Sequence, residues 1–273
     1  MGILSFFCNP AAPKEETFAQ RAAQHAGTMA RAARCHRVLG TKLGDVPEGF
    51  ERCVFATGCF WGSEKAFWRV PGVHATAVGY AAGKPGYSAP TYEQVCGGHT
   101  GAVECVQVTW NPEIVSFADL LRVFFESHDP TQGNRQGGDA GSQYRSGIYC
   151  TTKEQLVASQ AAKEAYGKGL RREGKGRTSK ITTEVMQIPT DRSESFFAYA
   201  EDYHQQYLAA PGSRKYCSAE PTGVHLEAAT KWMPPELLER FCDRLPPEYW
   251  AKYRPQPGCV LRQPDKQVRL ESL

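Results

Sequence analysis

Cys59 stands in the run Gly58-Cys59-Phe60-Trp61-Gly62, where a short apolar segment gives way to an aromatic-rich one. A cysteine attacks as its thiolate, and with an ordinary pKa near 8.5 it is mostly protonated at neutral pH. At the start of a helix, unpaired backbone N–H groups and the positive dipole end stabilise the anion; a pKa lowered by about one to three units would leave a substantial thiolate fraction. Position alone favours a small capping or core cysteine. The neighbours argue for chemistry: Gly58 and Gly62 leave the thiol open, and Phe60 and Trp61 put two aromatic rings beside it, a setting that suits a small apolar group on a substrate. A redox-active nucleophile is expected. A possible proton donor is Glu104, which alternation over Gly101–Trp110 places on the face of Val106, Val108 and Trp110. A carboxyl among apolar side chains should titrate above about 4.3 and keep a proton at neutral pH.

Other chemistries find less support. The ten cysteines include no Cys-x-x-Cys pair, which argues against a zinc ribbon or a thioredoxin-type dithiol. His99, His128 and His204 are far apart in sequence, and no metal or other cofactor is indicated. The glycine-rich stretch 132–147 lacks a Gly-Lys-Ser/Thr ending, so no nucleotide site is supported.

The elements that must position these residues follow from periodicity. Arg52–Gly58 reads as a buried strand and Phe60–Val70 as a helix stopped by Pro71-Gly72, which puts Cys59 at the junction. Val73–Tyr80 and Gly101–Trp110 read as strands, and Ser116-Phe117-Ala118-Asp119 as a capping box that opens a helix. Beyond the long loop, Tyr144–Cys150 and Ile181–Ile188 read as strands, with a helix from Thr152 to about Gly167 between them. Asp191-Arg192-Ser193-Glu194 predicts a further helix with Phe196, Ala200, Tyr203 and Tyr207 on one side. The expected fold class is α+β: a two-layer α/β sandwich with a ferredoxin-like core and irregular terminal extensions. Residues 1–45 form an N-terminal extension, 46–217 the catalytic domain, and 218–273 a proline-rich extension.

With 41% hydrophobic residues in 273, the chain can bury one good-sized core. A net charge of +3 does not argue for a nucleic-acid partner. No run reaches the roughly 18 to 20 apolar residues of a membrane-spanning segment. Scattered cysteines suit a reducing compartment, and a cytoplasmic monomer is expected. Two alternatives attach to the N-terminus. Met1–Cys8 is similar to a lipidation start with its hydroxyl at Ser5 instead of position 6, and the acid-free stretch from Thr17 to Gly44 suits an organelle transit peptide as well as a solvated helix.

Six segments resemble, in order and spacing, the A-class peptide methionine sulfoxide reductases. They are Gly58-Cys59-Phe60-Trp61-Gly62 with Glu64, Val78–Gly83, Pro90–Cys96, His128–Gln132, Gln143–Ser146 and Tyr203–Leu208. The resemblance runs from about Val46 to Cys217. It implies that Cys59 attacks the sulfoxide sulfur and becomes a sulfenic acid, and that Phe60 and Trp61 cradle the substrate's methyl group. It further implies that Glu104 protonates or hydrogen-bonds the sulfoxide oxygen, that Tyr92 and Tyr144 donate to it, and that Asp139 supports the pocket. The implied substrate is methionine S-sulfoxide, free or in oxidised proteins. Cys217 matches the resolving cysteine, with thioredoxin as reductant. The chain departs from the family in two places. Ala102 replaces a histidine two residues before Glu104, and Glu220–His225 lacks the further tail cysteine, leaving Cys242 or Cys259 as possible substitutes. A thiol peroxidase and a non-turnover binder of oxidised methionine are the competing readings.

Overall fold

The computed structural model describes residues 27–176, 180–256 and 260–273. The Met1–Cys8 motif, the first part of the acid-free stretch and Cys259 lie outside the described residues. The central strand is β1 (Glu51–Thr57), whose residues Cys53 to Thr57 are all buried. A strand covered on both faces needs apolar side chains at every position, as Cys-Val-Phe-Ala supplies. Next come α1 (Phe60–Trp68), β2 (Val73–Ala81), the short α2 (Tyr92–Cys96), β3 (Val103–Trp110) and α3 (Phe117–Glu126). Ser116 and Asp119 form the predicted capping box of α3.

The long glycine-rich loop carries a small hairpin, β4 (Arg135–Gln136) with β5 (Asp139–Ala140), and a 3-10 turn over Ser142–Tyr144. Then follow β6 (Ser146–Cys150), α4 (Lys153–Glu173), β7 (Glu184–Gln187) and β8 (Phe197–Tyr199). The main sheet runs β7-β6-β1-β3-β2-β8, antiparallel at every pairing except β6 with β7. The fold is a mixed α/β one. Val106, Val108 and Trp110 of β3 face a cluster built with α1, α3 and α4, while Val103 and Cys105 face a smaller cluster with Leu43, Phe196 and Tyr199.

Three expectations change. The helix begun at Thr152 runs past Gly167 to an αL cap at Gly174, because Leu170 is buried and Gly167 lies where Ile181 packs closely. The helix predicted from Asp191 does not form. Thr190–Arg192 makes one 3-10 turn, and Phe197–Tyr199 pairs with Gly79–Ala81 as an edge strand. Ladder bonds to β2 and burial of four consecutive residues, Phe196 to Tyr199, outweigh the local capping signal.

The C-terminal extension is also more ordered than its prolines suggested. Pro235 and Pro247 begin two short helices, α5 (Pro235–Phe241) and α6 (Pro247–Tyr253), at positions where a missing N–H does no harm. Phe241, Leu245, Tyr249 and Trp250 join the main core, and each large apolar side chain so buried contributes about 1.5–3 kcal/mol. No helix among the described residues is long and apolar enough to cross a membrane.

Candidate active site

The turn from β1 into α1 requires glycine at its corner. Gly58 has φ 104°, and a Cβ there would lie 2.7 Å from Cβ of Gln136. Cys59 follows as the N-cap of α1, and the backbone N–H groups of Trp61 and Gly62 are directed at its thiol. Those donors pull its pKa down, as the sequence led one to expect, but they lose to stronger effects. Burial and the nearby Glu104 carboxyl push the thiol well above its ordinary value. The balance at Cys59 thus favours the protonated thiol over the thiolate.

Glu104 is 2% exposed and accepts the Phe60 N–H on Oε2 at 3.1 Å. Burial first, and the charge of Asp139 next, raise its pKa to about 8 against the pull of that hydrogen bond. The carboxyl is mostly protonated at pH 7, as the apolar strand face implied.

The aromatic residues form a wall around a histidine. Trp61 stacks on Tyr207 with centroids 3.9 Å apart, and its Nε1–H donates to Nδ1 of His204 at 3.1 Å. Phe60 and Tyr92 lie against the same imidazole at 5.0 and 4.9 Å. Burial lowers the His204 pKa to about 4, so the ring is neutral and Nδ1 is an acceptor. Its Nε2–H then faces Glu201, 3.9 Å away.

Tyr144 and Tyr92 stand within electrostatic reach of both Glu104 and Cys59, and burial raises both phenols. The Tyr92 hydroxyl bonds to Cys96, one helical turn along α2. Asp139, on β5, accepts the Tyr216 hydroxyl at 2.6 Å, and that bond raises the Tyr216 pKa to about 12. Seven of the residues singled out in the sequence thus converge: Cys59, Phe60, Trp61, Tyr92, Glu104, Asp139 and Tyr144.

The eighth, Cys217, reaches the same turn of α1 from the other side. A Cβ on Gly62 would lie 2.7 Å from Cys217 Sγ, so both sulfurs close on Gly62 and only glycine leaves room for the second. Cys217 also borders a cavity of about 30 Å³, roomy enough for water, shared with Ser63, Arg69, Tyr253 and Gln263.

Sequence reasoning missed three contributors. Tyr216 was signalled only by its place beside Cys217, and Tyr207 by the aromatic density of Tyr203–Tyr207. Glu64 was noticed in the cysteine motif without a role, yet it is fully buried and bonded to Gln206. Ala102, where the family pattern has histidine, is 3% exposed, with its Cβ close to Gly83. Among the described residues no group of three or more His, Cys, Asp or Glu stands together as a metal site.

Comparison with known proteins gives a consistent result. A family model described as peptide methionine sulfoxide reductase matches residues 51–234. The peptide methionine sulfoxide reductase MsrA of Salinispora arenicola is 51% identical over 194 residues, covering 69% of this chain and 82% of that protein. MsrA 1 of Synechocystis is 48% identical over 198 residues, covering 72% and 83%. Among solved structures, methionine sulfoxide reductase A of Corynebacterium diphtheriae superposes with a TM-score of 0.57 at 38% identity, over 68% of this chain and 89% of that one. Mxr1 of Saccharomyces cerevisiae in its reduced form gives 0.55 at 32% identity, over 64% and 93%.

Proposed function

The chain belongs to the peptide methionine sulfoxide reductase family and is a methionine sulfoxide reductase, and from that premise we propose how its residues divide the reaction. The substrate is methionine S-sulfoxide, free or in oxidised proteins. The observation that carries this reading is the meeting of the Cys59 thiol, the protonated Glu104 and the Phe60–Trp61 rings at one helix start. The methyl group lies against the rings, and the sulfoxide oxygen takes hydrogen bonds from Glu104, Tyr92 and Tyr144, with Asp139 in support.

As Cys59 sulfur attacks the sulfoxide sulfur, the oxygen takes the proton of Glu104 and the thiol proton restores that acid. Oxygen passes from methionine to Cys59. The sulfoxide gains two electrons, the thiol loses two and becomes a sulfenic acid, and methionine leaves. Neutral Glu104 also no longer repels the thiolate, which links the two titrations. Cys217 then attacks the sulfenic sulfur, expels water and forms a disulfide, which thioredoxin reduces by thiol–disulfide exchange. The convergence of both sulfurs on Gly62 supports that assignment. A ferredoxin-like core is part of the same reading, supported by the β-α-β-β-α-β order of β1, α1, β2, β3, α3 and β6.

The test is a single turnover of reduced protein with each sulfoxide epimer. One methionine per chain from the S epimer and none from the R epimer is expected. Capture of the S epimer without release of methionine would instead identify a binder.

A further inference from the structure

Residues 31–44 precede the segment matched by the family model, yet they reach the aromatic wall through hydrogen bonds, several of them buried. His36 is 1% exposed. Its Nδ1 accepts the backbone N–H groups of Val38 and Leu39, both at 3.1 Å, which leaves the proton on Nε2. That Nε2–H lies 2.7 Å from Thr76 Oγ1, so the threonine hydroxyl accepts from His36 and donates to Glu64 Oε1 at 3.0 Å. Every donor in the chain therefore has one direction.

Glu64 gathers a second set of donors. The Gln206 backbone N–H reaches its Oε2 at 2.8 Å and the Gln206 side-chain amide its Oε1 at 2.6 Å. The remaining polar atom of that amide, Oε1, accepts the Arg37 backbone N–H at 3.2 Å. Gln206 needs this hold, because it has φ 48°, a left-handed conformation that side-chain-bearing residues rarely adopt. It stands between His204 and Tyr207, the two residues that fix the Trp61 ring. Two further ties join the same segments: Arg34 pairs with Asp202 at 2.6 Å, and Arg31 donates to the Tyr199 carbonyl.

We propose that His36, acting through Thr76 and Glu64, and Arg37, through its backbone N–H, are positioning residues that hold Gln206 and thereby set the Trp61–His204–Tyr207 wall for the substrate's methyl group. The inference rests on the reading of that wall as the methyl site. A network built only to stabilise the fold has no reason to end on a strained residue between the two side chains that orient Trp61. The protein's N-terminal segment thus contributes to substrate binding without touching substrate.

The test uses the full chain with Thr76→Val, which keeps shape and removes the relaying hydroxyl, and Thr76→Ser, which restores it. In Thr76→Val, the KM for a methionine S-sulfoxide peptide should rise about tenfold while the single-turnover rate at saturation changes less than about threefold. Hydrogen exchange at the Trp61 indole N–H, followed by NMR and assigned with Trp61→Phe, should quicken by about tenfold. Thr76→Ser should return both to wild-type values. A Thr76→Val protein with unchanged KM and unchanged indole protection overturns the proposal, even if it melts earlier. If wild-type protein releases no methionine, the reading of the reaction falls, whereas the indole exchange still decides on the brace.

Discussion

The two faces of α1 are held in different ways. On one face, Phe60, Trp61 and Glu64 meet their partners through directed hydrogen bonds and ring contacts; the Phe60 N–H is held by the Glu104 carboxyl, and the helix's own carboxyl, Glu64, is surrounded by Thr76 and Gln206, with no Lys or Arg paired to it among the described residues. On the other, Lys65 and Arg69, each 2% exposed, meet the C-terminal extension at Asp265 and Gln263. The extension also caps the helix end, where Val268 N–H donates to the Arg69 carbonyl, and the Gln267 amide ties the following turn to β2 by donating to the carbonyls of Val70 and Val73. The first face fixes geometry and keeps a proton available. The second carries buried charge and shelters Cys217 beside Gly62. Under the proposed mechanism, chemistry belongs to the first and recycling to the second, and the two can be broken separately.

The largest effects should separate the two sulfurs. Cys59→Ser should lower single-turnover release of methionine at least about a thousandfold. Cys217→Ser should still release one methionine per chain, while thioredoxin-driven turnover falls by about a hundredfold. Equal loss in both variants would mean that the two faces do not divide the work. Next is Glu104→Gln, expected to slow the first step about a hundredfold. Because the acid form exists below a pKa of about 8, the wild-type single-turnover rate should fall as pH rises through that value, and the variant should lack this dependence. A stopped-flow pH profile of the two proteins reads both.

The first face was far more legible in the sequence than the second. A strand, a glycine and two aromatics placed Cys59, and strict alternation placed Glu104 on the apolar side of β3 with its raised pKa. What failed there was the balance at Cys59. A helix start is visible in sequence, but the depth of burial that overrides it depends on neighbours from α2, the 132–147 loop and the 203–207 turn. The helix expected from Asp191 failed for a similar reason, since β2 offers Phe197–Tyr199 a ladder that no local pattern announces. On the second face, prolines read as irregular chain were helix starts, and nothing in the local pattern marked Lys65 and Arg69 as buried, because the residues that cover them lie some 200 positions away. His36 lies at no recognisable spacing from Glu64 because only the fold brings residues 36, 64, 76 and 206 together.

A smaller effect sharpens the comparison through pH. Burial raises the Glu64 pKa from 4.5 to about 7 against the hydrogen bonds of Gln206 and Thr76. A group whose folded pKa is raised contributes stability that is complete below its unfolded pKa and is lost as pH rises through the folded value. Between pH 5 and pH 7, Glu64 should therefore cost the fold at most about 1.4 kcal/mol per pH unit. His36, buried neutral with a pKa lowered to about 3, acts in the opposite sense below its ordinary value. The difference between proteins isolates the carboxyl: relative to wild type, Glu64→Gln should gain in Tm between pH 5 and pH 7, measured by thermal denaturation. A constant difference across that range would show that Glu64 does not titrate there.

The smallest effect belongs to the second face. Asp265 is half exposed, so its charge is well solvated and the attraction to Lys65 is worth little by itself. The consequence of removing it lies with the partner. Asp265→Ala leaves a lysine ammonium 2% exposed without its carboxylate, and an unsatisfied buried donor costs about 1–3 kcal/mol. The lower end applies, because the Asp265 backbone carbonyl still holds Trp68 Nε1 at 2.8 Å and keeps the extension in place. A fall in Tm of about 2–4 °C is expected, with single-turnover chemistry unchanged. Adding Lys65→Met should recover the loss, since an apolar chain of similar length fills the same space without a charge to satisfy. A double variant that melts as early as Asp265→Ala would show that the carboxylate serves the extension itself and not the lysine.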